Sequence, residues 1–203
     1  MTLEIFETVE QGSAEWHELR RGLATASEFG AVMAKSSDLR MRRGYMRRLA
    51  CERITGQVES GYRNAHIDRG HKDEGSGRAA YCTITGNDVR RIGFARDLDL
   101  GAGCSTDGLV DDDGLIEIKC PSGPVMVDEL FSSGDGFPSE HYWQCMGAVW
   151  LLRRQWCDLV QYHPSFRVSI KRLWRAADKC VELAREIATF NAELADMVAK
   201  VTT

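Results

Sequence analysis

The amino-acid sequence predicts an α/β (α+β) fold, in which a central mixed β-sheet is flanked by helices. Apolar residues recur at helical spacing toward both ends of the chain. Segments with strand-like alternation lie between these helical regions, and the clearest two flank an Asp/Gly-rich turn at residues 111–114. Helices on both sides of a group of strands are typical of a domain that packs helices on a sheet.

Helices are predicted in the N-terminal part of the chain at residues 13–22, about 25–34, 38–55 and 64–83. Ser13 caps the first of them, and Thr25 or Ser27 caps the second, since short hydroxyl side chains accept from the free amides of a first helical turn. Gly22 and Gly56 end the first and third helices, because glycine readily adopts the left-handed conformation that follows a helix.

Strands are predicted at residues 88–95, 103–110, 114–119, 156–162 and 167–173, and further helices at 124–131, 139–153 and 174–199. The second and third of these strands form a β-hairpin, because alternating apolar residues flank a turn rich in Asp and Gly. The whole chain, residues 1–203, is expected to form one domain, since no linker, repeat or low-complexity tract interrupts it.

The composition is that of an ordinary globular chain, with 203 residues, 43% apolar and 28% charged, which is long enough for one buried core. No apolar stretch has the length of a membrane span, and the N-terminus lacks a signal-peptide pattern. The seven cysteines include no Cys-x-x-Cys pair, which indicates reduced thiols in a cytosolic protein. The net charge of −4 argues mildly against a simple nucleic-acid-binding protein.

Basic residues are nevertheless concentrated in two segments, 35–53 and 153–175. Such runs are usually solvated helix faces. In the first segment Met46 and Leu49 contribute to an apolar stripe at helical spacing, which leaves the arginines on an exposed side. A surface of this kind could bind a phosphate backbone while the protein stays acidic overall.

The hairpin carries two acids that face each other. Asp107 and Glu117 are ten positions apart, and Lys119 follows the glutamate. If the turn is centred on Asp112, Asp107 lies opposite Glu117, and Ser105 shares a face with both acids and the lysine. Directly opposed carboxylates repel one another, so a divalent cation between them is the simplest explanation.

Magnesium is the expected ion, because it binds one or two carboxylates together with water and substrate phosphate. Lys119 could then orient or deprotonate a water molecule that attacks phosphorus. The bare motif fits charges on a solvated strand face better, but Leu109, Ile116 and Ile118 make the other face apolar and reverse this preference. Glu74, on a glycine-rich helix, is a third candidate ligand, although taken alone it would be an exposed charge.

Five segments in order resemble the lambda-exonuclease type of phage recombination nuclease, within the PD-(D/E)xK nuclease superfamily. They are Glu15–Gly22 with Thr25–Glu28, Gly70–Glu74, the hairpin segments Cys104–Leu109 and Glu117–Pro121, His141–Gln144, and Tyr162–Pro164. The resemblance covers roughly residues 11–163 and includes the ten-residue step between the hairpin acids.

The resemblance implies a restriction-endonuclease-like nuclease core with a metal site. Glu74, Asp107 and Glu117 would hold Mg²⁺, or Mn²⁺ in its place, together with the backbone carbonyl of Ile118. Lys119 would position the attacking water.

The resemblance also assigns the binding of a 5′-phosphate to Arg20, Ser27 and Ser105, with Gln144 beside that site. The planar guanidinium of Arg20 suits a phosphate. From the residues alone, a surface arginine on a short helix is an equal alternative.

In function, the resemblance implies a homotrimeric ring that degrades one strand of double-stranded DNA from its 5′ end and releases 5′-mononucleotides. The remaining 3′ single strand would pass to a single-strand annealing protein for phage-type recombination. The protein would then act in the cytoplasm of a bacterial host, encoded by a phage or prophage.

Some positions depart from the family pattern. Thr106 stands where the superfamily has a proline, and Met146 stands where relatives often place a second glutamine, which leaves the hydrogen bonding of Gln144 open. The segment 40–48 does not align cleanly, so the arginine that contacts or splits the duplex is not identified.

Two alternative functions stay open at this point. A structure-specific or restriction-type endonuclease could use the same carboxylates and lysine. A non-catalytic DNA-binding protein is disfavoured by the intact set of these side chains.

Overall fold

The computed structural model describes residues 2–35, 39–58, 65–132 and 136–203, with the backbone alone for 65–72. Its helices are α1 (Ala14–Arg20), α2 (Phe29–Val32), α3 (Leu39–Thr55), α4 (Ala65–Thr85), α5 (Gly123–Phe131), α6 (Ser139–Leu151) and α7 (Ala177–Thr202), and a 3-10 turn at Ala26–Glu28 precedes α2. Its strands are β1 (Leu3–Phe6), β2 (Ala24–Thr25), β3 (Val89–Arg90), β4 (Phe94–Asp97), β5 (Ala102–Cys104), β6 (Gly108–Val110), β7 (Gly114–Lys119), β8 (Trp156–Gln161) and β9 (Ser169–Trp174).

Within the described ranges these strands form two mixed sheets flanked by helices, so the predicted fold class is confirmed. The larger sheet has the order β3-β6-β7-β8-β9, in which only β7 and β8 are parallel. The smaller sheet has the order β1-β4-β5-β2, in which only β2 and β5 are parallel. The strands lie in two sheets rather than in one central sheet, because two predicted strands are each divided between the sheets.

The predicted strand 103–110 ends at Cys104 and resumes at Gly108 in the other sheet. The buried hydroxyl of Thr106 donates to the carbonyl of Ile116 at 2.7 Å, and the amide of Asp107 donates to the same oxygen at 3.2 Å. These bonds replace a regular ladder step, and the segment 105–107 crosses from the smaller sheet to the larger one.

The predicted strand 88–95 is divided in the same way, around Gly93. The amide of Gly93 donates to the carbonyl of Phe6 at 2.9 Å. A side chain at this position would begin 2.0 Å from the carbonyl oxygen of Val9, so only glycine allows the backbone of the segment after β1 to approach so closely. The strands β1 and β2, which the sequence did not reveal, both pair within the smaller sheet.

The hairpin has the predicted register. Gly108 pairs with Ile116 and Val110 with Gly114, as a turn centred on Asp112 requires. Asp111 adopts a φ of 45° in the turn, a conformation that aspartate tolerates better than most residues.

The predicted helix boundaries are confirmed where a cap or a glycine defines them. The hydroxyl of Ser13 accepts from the amide of Trp16 at 3.1 Å, and Gly22 and Gly56 both adopt a φ of 67° after their helices. The predicted helix 25–34 is instead a 3-10 turn followed by α2, and the side chain of Thr25 makes no capping bond.

The main core lies between the sheets and the helices α2, α3, α6 and α7, and includes Phe29, Met146 and Phe190. A smaller cluster covers the other face of the larger sheet, where Tyr81 of α4 packs against Ile116. In the described part of the chain, no helix combines the length and apolar character needed to cross a membrane.

Candidate active site

All nine side chains or carbonyls predicted for the site line one open cleft with a volume of about 650 Å³. They are Arg20, Ser27, Glu74, Ser105, Asp107, Glu117, Ile118, Lys119 and Gln144. The fold therefore brings together residues that are up to 124 positions apart in the chain. Their roles in binding and catalysis stay predictions.

The carboxylate end of the cleft is built by β7 and by the crossing segment 105–107. A carboxylate oxygen of Asp107 accepts from the backbone amide of Ile118. Glu117 is 5% exposed, and one of its oxygens accepts from Lys119 Nζ at 2.9 Å and from the amide nitrogen of Gln144. The two acids thus lie side by side across the hairpin, held by different donors.

Glu74 reaches this group from α4 through a residue that the sequence analysis missed. Arg78 donates from Nη2 to the carboxylate of Glu74 and from Nε to the backbone carbonyl of Asp107 at 3.0 Å. The spacing of four residues on one helix is a signal that could have revealed this pair. Arg78 therefore orients the third acid toward the hairpin.

The electrostatics of this end show an excess of negative charge. Burial, followed by the charges of Glu117 and Glu74, holds the pKa of Asp107 well above its usual range. Burial opposes a charge on Lys119, but the charge and hydrogen bond of Glu117 outweigh it and raise the lysine pKa above its usual value. Lys119 is therefore a protonated donor rather than a base in this arrangement.

The donors at this end suit a divalent cation. Among the described residues, no three acidic, histidine or cysteine side chains are already arranged to hold a metal ion. Asp107, Glu117 and Glu74 each accept a hydrogen bond from the protein instead. The donor set nevertheless consists of carboxylate oxygens and the carbonyl of Ile118, which hard cations prefer. A cation would also relieve the repulsion that raises the pKa of Asp107.

Arg20, Ser27 and Ser105 line the other end of the cleft. The hydroxyl of Ser105 accepts from Trp16 Nε1 at 2.8 Å and donates to the carbonyl of Gly93 at 2.9 Å. The guanidinium of Arg20 lies 4.3 Å from the ring centre of the same tryptophan. Trp16, which sequence analysis did not single out, thus holds Ser105 and Arg20 on one wall.

Arg20 is a half-buried cation. Its Nη2 donates to Thr25 Oγ1 at 3.4 Å, and that hydroxyl lies 3.4 Å from Ser27 Oγ. Burial is the main cause that lowers the pKa of Arg20, yet an arginine stays charged at any ordinary pH. A desolvated guanidinium beside two hydroxyl groups can bind an anion with good geometry.

Met146, which stands where relatives often place a second glutamine, packs in the core. Met146 is fully buried, and its sulfur lies 3.9 Å from Cys180 Sγ. Gln144, two residues earlier on α6, donates to Glu117.

The YqaJ-like viral recombinase domain family matches residues 15–153. The chain belongs to this family. An alkaline exonuclease (LHK-Exo) from Laribacter hongkongensis resembles this YqaJ-like protein, with a TM-score of 0.85, 33% identity, and coverage of 94% of this chain and 96% of that one. The same enzyme in complex with dAMP gives a TM-score of 0.84 at 33% identity, with 93% and 96% covered.

A phage-related exonuclease from Haemophilus somnus 129PT shares the fold, with a TM-score of 0.66, 14% identity, and 89% and 96% covered. No curated protein matches the chain. The family and the LHK-Exo structures confirm the resemblance to a phage-type recombination exonuclease.

Proposed function

We propose that this YqaJ-like protein is a metal-dependent exonuclease that degrades one strand of duplex DNA from 5′ to 3′ and releases 5′-mononucleotides. The observation that carries this proposal is the single cleft, which joins a phosphate-binding end at Arg20 and Ser27 to the acids and lysine of the hairpin. The LHK-Exo structure with dAMP, a mononucleotide, supports a product of this kind.

The phosphate-binding end would fix the register of the strand. Arg20, Ser27 and Ser105 hold the terminal 5′-phosphate, so that the next phosphodiester lies at the carboxylates. Hydrolysis on the 3′-oxygen side of that phosphorus releases a 5′-mononucleotide. The phosphate stays on the shortened strand, which therefore presents the same chemical group for the next cycle.

The hairpin would hold the metal and the water. Asp107, Glu117 and Glu74, with the carbonyl of Ile118, hold Mg²⁺ or Mn²⁺, which supplies Lewis-acid polarisation of the phosphate and a more acidic water. Lys119 donates to the attacking water and orients it. Gln144 keeps the carboxylate of Glu117 in place.

We further propose that residues 1–203 form one nuclease domain that assembles as a homotrimer around the duplex. Basic residues concentrated on α3, in a chain with a net charge of −4, suit a ring whose inside binds DNA while its outside is acidic. The 3′ strand would pass to a single-strand annealing protein in phage-type recombination, in the cytoplasm of a bacterial host.

Digestion of end-labelled duplex DNA with Mg²⁺ tests the proposal. We expect mononucleotides from the 5′ end of linear duplex, faster digestion of 5′-phosphorylated than of 5′-hydroxyl ends, and no cutting of covalently closed circles. Conversion of closed circles would instead identify a structure-specific or restriction-type endonuclease that uses the same site. Release from the 3′ end would contradict the proposed polarity.

A further inference from the structure

Arg48 is a second arginine in the wall of the cleft that contains Arg20. It lies on α3, and its Nη2 donates to a carboxylate oxygen of Glu28 at 2.6 Å. Its guanidinium lies 4.9 Å from the ring centre of Tyr45, one turn earlier on the helix. Neither the resemblance nor the basic segment around it gave this residue a role.

The backbone around Arg48 is fixed by neighbours on the same helix face. The hydroxyl of Tyr45 accepts from the amide of Thr25 at 2.8 Å, and the buried carboxylate of Glu52 accepts from the amide of Gly22 at 2.9 Å. Residues three and four apart on a helix share a face. Arg48, between these two, is therefore held over the segment 22–28 that follows Arg20 and includes Ser27.

The ion pair between Arg48 and Glu28 is one in which another anion can replace the carboxylate. The two side chains are 36% and 34% exposed, and half-exposed ion pairs contribute little to stability. By contrast, Arg42 on the same helix is only 10% exposed where it contacts Glu193. Glu28 can therefore be replaced as the partner of Arg48 by a stronger anion without loss of the fold.

The two guanidinium groups that line the cleft, those of Arg20 and Arg48, favour such an anion. Burial lowers the pKa of Arg20, and of the neighbouring charges that of Arg48 lowers it further, whereas those of Glu52 and Glu28 raise it. Glu52 is already bonded to the backbone. A phosphate between the two guanidinium groups would relieve their repulsion and accept from both.

We propose that Arg48 exchanges Glu28 for the terminal 5′-phosphate of DNA and binds that phosphate together with Arg20. A terminal phosphate carries a charge of about −1.5 to −2 near neutral pH, whereas an internal phosphodiester carries one negative charge, so two cations match the terminal group better. A 5′-hydroxyl end cannot replace the carboxylate of Glu28. Arg48 and Glu28 thus determine the preference for phosphorylated ends, an inference that rests on the proposed function.

The test measures binding of 5′-phosphorylated and 5′-hydroxyl duplex ends in EDTA by fluorescence anisotropy, so that no hydrolysis is needed. We expect Arg48→Gln to weaken binding of the phosphorylated end about tenfold, the effect of losing one charged hydrogen-bonding partner, and to leave the hydroxyl end within about twofold. Arg47→Gln is the matched control, because Arg47 is an exposed arginine of the same helix and does not line the cleft, so any loss that it causes should be equal for the two kinds of end. An equal loss on both ends in Arg48→Gln, or a loss confined to the phosphorylated end in the control, would overturn the assignment.

Glu28→Gln is an independent variant that keeps Arg48. We expect it to strengthen binding of the phosphorylated end severalfold, because the arginine no longer has to leave a carboxylate, and unchanged or weaker binding would contradict the exchange. The two proposals fail differently. Wild-type protein that prefers phosphorylated ends in EDTA but digests no DNA refutes the exonuclease, whereas digestion with an unaltered preference in Arg48→Gln refutes the role of Arg48.

Discussion

Replacement of Asp107 by asparagine removes one of the two facing charges and keeps the shape of the side chain. The amide oxygen can still accept from the amide of Ile118, which donates to Asp107 in the wild-type protein. We expect the variant to be more stable than the wild type when no metal is present, because burial and the charges of Glu117 and Glu74 disfavour the ionised aspartate.

The dependence of stability on pH gives the size of the difference between the variant and the wild type. The folded protein raises the pKa of Asp107 above its unfolded value of about 3.9. The stability that Asp107 contributes is therefore complete below about pH 4 and is lost as the pH rises through the folded pKa, by up to about 1.4 kcal/mol per pH unit. Asparagine does not titrate. Because the aspartate is only half-buried, we expect an advantage for the variant that grows from near zero at about pH 4 to about 1–2 kcal/mol at about pH 7.

Urea denaturation in EDTA at several pH values measures this difference. Asp112→Asn is the matched control, because Asp112 is an exposed acid in the turn of the same hairpin, and we expect its stability to differ little from that of the wild type. Excess Mg²⁺ should reduce or reverse the advantage of Asp107→Asn, since an ion that binds the folded wild type stabilises it. A variant that is no more stable than the wild type near pH 7 in EDTA would refute the cross-strand repulsion.

Three further substitutions test other parts of the structure. Lys119→Ala should lower the cleavage rate by about 100-fold or more while duplex binding stays within about twofold, and retained cleavage in the end-labelled assay would exclude a role in orienting water. Tyr81→Phe should lower the free energy of unfolding by about 1–2 kcal/mol, because the tyrosine donates to the buried carboxylate of Asp158 at 2.8 Å; an unchanged urea midpoint would contradict this. Gly147→Ala should lower the free energy of unfolding by about 1–3 kcal/mol, since its Cβ would lie 2.2 Å from a ring carbon of Phe29. A melting temperature equal to that of the wild type would contradict this, because the ring would then have moved without loss of stability.

The sequence predicted those features that depend on local chemistry. The register of the hairpin follows from its acidic turn. The start of α1 follows from the cap at Ser13, and its end follows from Gly22. Among the predicted site residues, Glu74 was singled out by its glycine-rich helix, whereas Arg20 came from the resemblance alone, since no spacing links it to the hairpin.

The parts that were missed depend on contacts between distant segments. Strand β2 has two residues and exists only because β5 pairs with it. The division of strand 103–110 involves the hydroxyl of Thr106 and the amide of Asp107, which both donate to the carbonyl of Ile116 on the other strand of the hairpin. Likewise, the partner of Arg48 lies on another element, twenty positions earlier in the chain, so neither periodicity nor composition could identify it.

The crossing segment 105–107 has a consequence for the size of the product. In the proposed function Ser105 would bind the terminal phosphate and Asp107 the metal, yet only one residue separates them in the chain. Two residues of chain span at most about 6.6 Å, and the bonds from Trp16 to Ser105 and from Ile118 to Asp107 fix both ends. If the proposed function holds, the distance between the bound terminus and the hydrolysed bond would therefore be limited by covalent backbone, and it would stay the same as the strand shortens.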